Sequence, residues 1–157
     1  MDYKDAKKIS AKIKNKIKAQ TRASVLEVGS IRRKKSIVRD MDFLICSKNE
    51  SILSKIKFPN SDIIENGVYR KKLYLHDYGV KIDCFYTTPA CRPYALLQYT
   101  GSKEFNIRVR AHAKSKGFKL NQYGLYRGDD MPFKFNTERQ ILEFLGITYK
   151  KPEDRIL

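Results

Sequence analysis

Val28-Gly29-Ser30-Ile31-Arg32-Arg33-Lys34-Lys35-Ser36-Ile37-Val38-Arg39-Asp40-Met41-Asp42-Phe43-Leu44-Ile45 is the stretch around which the chain is organised. Its second half, Asp-Met-Asp running into an apolar triplet, reads as a strand entered through two carboxylates. Side chains alternate faces along a strand, so Asp40 and Asp42 project to the same side. Two close carboxylates repel each other unless a cation lies between them. Their hard oxygens favour Mg²⁺, which keeps part of its water and takes further ligands from a phosphate substrate. A second ion needs a third carboxylate. Asp83, in the strand-like run Val80-Lys81-Ile82-Asp83-Cys84-Phe85, is expected beside the first two. In the first half, Gly29 lets the backbone approach an anion. Ser30 adds a hydroxyl, and Arg33 adds a fork of donors matched to phosphate. A lone Asp-x-Asp is as readily a polar strand end at an ordinary surface. With Gly-Ser-x-Arg-Arg a short turn upstream, the two halves together suit a nucleoside triphosphate and its divalent ion.

Composition bounds the rest. The chain has 157 residues, enough for one compact unit or two small lobes. It carries 33 Lys and Arg against 17 Asp and Glu, a net charge of +16. A field of that sign draws polyanions, nucleic acid first and an anionic membrane surface second. No apolar stretch is long enough to span a bilayer, and the N-terminus lacks a signal-peptide core, so no membrane partner is expected. Cys46, Cys84 and Cys91 show no Cys-x-x-Cys spacing. That disfavours a zinc site, and an odd count points to a reduced, intracellular setting. Cys46 and Cys84 fall in apolar strands and read as core thiols.

Outward from the opening stretch, residues 3–19 predict a helix, with Ile9, Ile13 and Ile17 recurring every fourth position. Its lysines, Lys12 and Lys16 among them, read mainly as a solvated face. Residues 24–28, 36–46, 63–64, 68–75 and 80–86 predict strands, and 49–56 a helix. Pro89 and Pro93 mark a boundary, dividing the chain into residues 1–93 and 94–157. After it come a helix over 94–99, a break at Thr100-Gly101, and a basic helix over 103–116 capped by Ser102. Residues 118–126 and 132–135 predict paired strands. Thr137 and Gln140 open a last helix, which Gly146 closes. Residues 150–157 read as a loose basic tail.

These motifs together resemble the family X DNA polymerases, the DNA polymerase beta group. Gly29-Ser30-Ile31-Arg32-Arg33, Asp40-Met41-Asp42 and Asp83 match that family's order and spacing. Tyr99-Thr100-Gly101-Ser102, Arg110-Ala111-His112-Ala113 and Lys116-Gly117-Phe118 match its C-terminal part. The small size and Lys119-Leu120-Asn121-Gln122-Tyr123-Gly124-Leu125 resemble the reduced family members of large DNA viruses. The resemblance implies an α+β fold: a nucleotidyltransferase-type palm, a mixed sheet flanked by helices, with a small C-terminal α/β lobe and no lyase domain. It implies attack of a primer 3′-hydroxyl on the α-phosphate of a deoxynucleoside triphosphate. Two Mg²⁺ ions, with Mn²⁺ as a substitute, would assist: Asp40 and Asp42 bridge both, and Asp83 holds the catalytic one.

The nucleotide-binding residues implied are Gly29, Ser30 and Arg33 at the phosphates, Gln98, Tyr99 and Gly101 near the sugar, and Asn106 at the base edge. Gln98 stands where the family often has an aromatic group. Arg32 is expected to face out, towards a partner or a carboxylate. DNA contacts fall to Lys103, Arg108, Arg110, Lys114 and Lys116, aided by Lys12 and Lys16. Lys103 stands where an aspartate is common. The expected partners are gapped or primer–template DNA and a DNA ligase, for a monomer acting in base excision repair. The expected setting is the host cytoplasm or nucleus and, for a viral protein, the virion. Two rivals share parts of this pattern. Another nucleotidyltransferase, template-independent or directed at RNA or protein, would keep the carboxylates but not Tyr99-Thr100-Gly101 with Arg110-Ala111-His112-Ala113. A non-catalytic basic nucleic-acid-binding module would not need three aspartates.

Overall fold

The alternation of residues 40–46 sets the architecture. A computed structural model describes residues 1–130 and 133–155. Strand β2 (Asp40–Cys46) sends Met41, Phe43 and Ile45 to one side, into a core shared with Ile13 and Ile17 of helix α1 (Tyr3–Thr21). Asp40, Asp42 and Leu44 go to the other side, so the buried helix face leaves the carboxylate face free for the rest of the chain. Strand β1 (Ser24–Val28) pairs antiparallel with β2, and a single helical turn α2 (Gly29–Arg32) follows it directly. Strands β3 (Ser61–Asn66), β4 (Arg70–Leu75) and β5 (Val80–Thr87) complete a five-stranded sheet in the order β1-β2-β5-β4-β3. Only the β2–β5 pairing in it is parallel, which makes the sheet mixed.

Helix α3 (Arg92–Thr100) crosses the carboxylate face, where Ala95 packs on Val28 and Leu44, and Leu26, Phe85 and Tyr99 close the contact. A second core gathers beyond it. Tyr94 and Leu97 of α3 meet Phe105, Val109 and Ala113 of helix α4 (Lys103–Ser115) and Ile141, Leu142 and Leu145 at helix α5 (Glu138–Phe144). Both helices start as their caps dictate. Ser102 accepts from the Phe105 amide and Thr137 from the Gln140 amide, while the Gln140 side chain reaches back to the Asn136 amide.

Several expected elements differ. The strand begins at Asp40, not at residue 36. Lys34 takes a left-handed φ of 54°, and the segment behind it pairs with the N-terminal segment through Tyr3 N–H to Ser36 O and an Asp2–Ile37 bridge. The helix over 49–56 is reduced to a 3₁₀ turn at Ile52–Lys55, because Ser47 and Asn49 side chains capture the amides of Asn49 and Ser51. The strand over 118–126 is a hairpin, β6 (Lys119–Asn121) and β7 (Gly124–Tyr126), folded at Asn121, whose Oδ1 accepts from the amides of Tyr123 and Gly124. Of its expected partner at 132–135, Pro132 lies outside the described residues. Phe133 keeps one backbone bond to β7, from its N–H to the Leu125 carbonyl at 3.1 Å, but no ladder forms, and Phe133 and Phe135 pack against Phe144.

The tail is not loose as far as it is described. Pro152–Asp154 form a 3₁₀ turn, and Arg155 is fully buried on Glu138. Cys84 lies buried in the first core, and all three cysteines are free. No helix among the described residues is long and apolar enough to cross a membrane.

Candidate active site

The parallel register decides where the acids meet. Asp42 of β2 stands opposite Asp83 of β5, and Asp40 lies two residues before Asp42 on the same face. The turn into α2 passes directly over them. Gly29 has φ +61°, and a Cβ there would fall 2.1 Å from Asp42 Oδ2. Glycine is thus required twice, by backbone conformation and by the closeness of the carboxylate. The result is a cleft of about 780 Å³ lined by Gly29, Ser30, Arg33, Asp40, Asp42, Gln98, Tyr99, Gly101, Lys103, Asn106 and Arg110. Segments far apart in sequence supply these, and every residue proposed for nucleotide binding is among them.

Charge in the cleft is unbalanced. Burial pushes the Asp42 carboxyl up to about 7, and its neighbours Asp83 and Asp40 push the same way, against Arg33 and Lys72. Burial and like charge thus outweigh the two cations nearby, and a divalent ion would favour the charged carboxylate. Arg33 has the converse problem. Burial lowers its pKa against the pull of Asp42 and Glu104. Its Nη1 donates to the Thr100 carbonyl, while its Nε is buried without a partner. A guanidinium that lines the cleft together with the Ser30 hydroxyl fits an anion. Hard carboxylate oxygens next to that donor fit a divalent ion carrying a phosphate.

Asp83 is placed differently from its two companions. It is 5% exposed, and its oxygens are taken by Arg70 of β4, with Nε to Oδ1 at 2.8 Å and Nη2 to Oδ2 at 2.7 Å. Lys72 Nζ lies 3.8 Å from Oδ2. Among the described residues no three metal-ligating side chains gather around one point. Sequence reading missed Arg70, because nothing local marks a residue that reaches its partner across a strand pairing. It also missed Lys35, Ile37, Arg39 and Ile107, which line the cleft, and Phe85, which stacks on Tyr99 with ring centroids 4.0 Å apart. Ile37 and Ile107 are 61% and 58% exposed.

The remaining candidates divide by position. Lys103, Asn106 and Arg110 follow at i, i+3 and i+7 on the cleft face of α4, and Asn106 donates to the Gln98 carbonyl at 2.7 Å. Arg108, Lys114 and Lys116 are exposed on the same helix or just past its end, outside the cleft. Lys12 and Lys16 are exposed on α1, away from it, and Lys16 is engaged by the Tyr78 hydroxyl at 2.9 Å. Arg32 does not face out as expected, but it does find a carboxylate, a buried one. It grips Glu138 of α5 at 2.6 and 2.9 Å and the Thr100 hydroxyl at 2.6 Å, so the turn carrying Ser30 and Arg33 is tied to the C-terminal helices. Arg155 binds Glu138 from the other side at 2.6 Å.

Comparison with known proteins gives the chain a family. The family model of the DNA polymerase beta thumb matches residues 95–156. Repair DNA polymerase X of African swine fever virus (isolate Pig/Kenya/KEN-50/1950) is 34% identical over 143 residues, covering 85% of this chain and 82% of the relative. This chain belongs to the family X DNA polymerases. The family also includes a more distant relative in Bacillus subtilis, a DNA polymerase/3′-5′ exonuclease PolX. It is 29% identical over 132 residues, which cover 81% of this chain and 23% of that protein. The fold of this family X polymerase matches Leishmania infantum polymerase beta in a ternary primer/template complex. The TM-score is 0.84 at 19% identity, covering 100% of this chain and 77% of that one. A ternary gap complex of the same protein matches equally, at 18% identity and 71% of its length.

Proposed function

We propose that this family X polymerase fills short gaps in DNA by a two-metal, Mg²⁺-dependent reaction, as a step of base excision repair. The observation that carries the reading is one cleft holding Asp40 and Asp42, with Asp83 opposite Asp42, under a glycine turn and lined also by Ser30 and Arg33. Ser30, Arg33 and the Gly29 backbone grip the β- and γ-phosphates. Tyr99 and Gly101 border the sugar, and Asn106 faces the base edge. Asp40 and Asp42 would hold both ions and Asp83 the one nearest the primer. Held there, such ions would offset the negative charge on the phosphates and on the attacking and leaving oxygens.

The chain's own groups supply orientation. Arg33 aligns the triphosphate so that the primer 3′-hydroxyl oxygen forms a bond to the α-phosphorus. The bond from that phosphorus to the bridging oxygen breaks, pyrophosphate leaves, and the hydroxyl proton passes to a carboxylate of the triad. Lys103 and Arg110 in the cleft, with Arg108, Lys114 and Lys116 farther along α4, bind the DNA backbone. The solved relatives in primer/template and gap complexes support a DNA substrate.

A duplex with a one-nucleotide gap, offered all four deoxynucleotides singly with Mg²⁺, tests this. Incorporation of the complementary nucleotide, abolished by chelation and by Asp42→Asn, is the expected result. Template-independent addition, or none by the wild type, overturns it.

A further inference from the structure

We propose that Arg70 is a latch on Asp83: it holds the third carboxylate until a divalent ion displaces it, and Glu65 takes it over on release. The proposal rests on the metal-binding reading above. Asp83 sits beside Asp42 in the sheet, and a nearly buried carboxylate there requires a positive partner. Arg70 supplies it from the next strand. In register it is opposite Phe85, so its side chain runs diagonally to Asp83, with the guanidinium carbon 5.4 Å from the Phe85 ring centre. Both carboxylate oxygens are engaged at 2.7 and 2.8 Å. Those are the oxygens an ion would coordinate, so the two cations compete for one ligand.

A second carboxylate is already at hand. Glu65 Oε2, on the edge strand β3, lies 3.2 Å from Arg70 Nε. The guanidinium thus stands between a nearly buried acid at the reaction site and an exposed one outside it. Arg70 is itself 44% exposed in its side chain, which leaves it room to swing outward. Transfer to Glu65 keeps an ion pair on Arg70 while freeing Asp83, so loading of this position is weakened but not blocked. Lys72, at 3.8 Å, is too far to replace the fork and stays as a distant countercharge.

Mn²⁺ is the probe, titrated into the full chain and followed by electron paramagnetic resonance of the free ion, without DNA or nucleotide. Arg70→Gln should lower the Kd of the weaker-binding ion at least about 10-fold, since both charge-assisted bonds to Asp83 are lost. Arg70→Lys, which cannot grip both oxygens, should lower it less. Glu65→Gln should raise it, since release loses its acceptor. A Kd for Arg70→Gln equal to or above the wild-type value, in a variant with unchanged circular dichroism, overturns the latch. If that variant does not fold, Arg70→Lys and Glu65→Gln decide, and Kd values unmoved in both sink it. Mn²⁺ binding identical in all proteins overturns the latch alone. No binding by the wild type overturns the metal reading and the latch with it.

Discussion

Asp42 is the residue whose charge the folded chain can least accommodate by itself. Its carboxyl is raised from an ordinary value near 4 to about 7 by burial and by Asp83 and Asp40. A carboxyl raised on folding favours the folded state below its unfolded value, and that gain is lost as pH rises through its folded value. The metal-free protein should therefore lose stability between about pH 4 and pH 7. Thermal unfolding in a chelator should show Asp42→Asn melting above the wild type at pH 8 and level with it near pH 4. Mg²⁺ at pH 8 should raise the wild-type Tm and leave the variant unmoved. Arg33→Ala removes a guanidinium that lines the cleft. It should raise KM for deoxynucleotides about 10-fold in steady-state incorporation, as expected for one charge-assisted phosphate contact. Asp40, Asp42 and the turn before them were legible in sequence, since period-two alternation and a glycine before Ser-x-Arg-Arg are local facts. Arg70 was not, because its bond to Asp83 spans 13 residues and exists only through the β4–β5 register.

Helix α5 was recognisable from its cap and the closing Gly146, but its purpose was not. Glu138, in its first turn, accepts from Arg32 and Arg155, each within 2.6 Å at its shortest, and Arg155 is fully buried. Burial pushes the Glu138 carboxyl up, yet the hydrogen bond from Arg32 and the charges of Arg155 and Arg32 outweigh it and hold it low. Its contribution is present above the ordinary carboxylate range and lost as pH falls through the depressed value. Glu138→Ala should strand two arginines and cost about 3–5 kcal/mol in urea unfolding at neutral pH. The deficit against wild type should shrink in acid. The tail residues 150–155 read as loose because their sequence is basic and unpatterned. They are ordered by one buried guanidinium and by the Ser102 amide, which donates to the Arg155 carbonyl at 3.1 Å. Neither partner is local.

On the scale of the whole molecule, charge governs what the protein meets. A net charge of +16 on 157 residues makes binding to DNA steeply salt-dependent. If six to ten phosphates are neutralised, affinity for a gapped duplex should fall about 10³–10⁵-fold between 50 and 200 mM salt. Lys103→Ala and Arg110→Ala should each reduce the log–log slope by about 1 in fluorescence anisotropy titrations. What the sequence determined by itself follows from local rules: which acids share a strand face, where glycine must turn, which helix faces are apolar, and the sign of the field. Tertiary structure alone decided which strands lie side by side. The parallel pairing of β2 and β5 sets Asp83 next to Asp42, β4 delivers Arg70 to it, and Glu138 joins Arg32 across 106 residues. Periodicity specifies the face a side chain takes. Its neighbour on that face is chosen by the topology of the closed chain, and no local pattern encodes that choice.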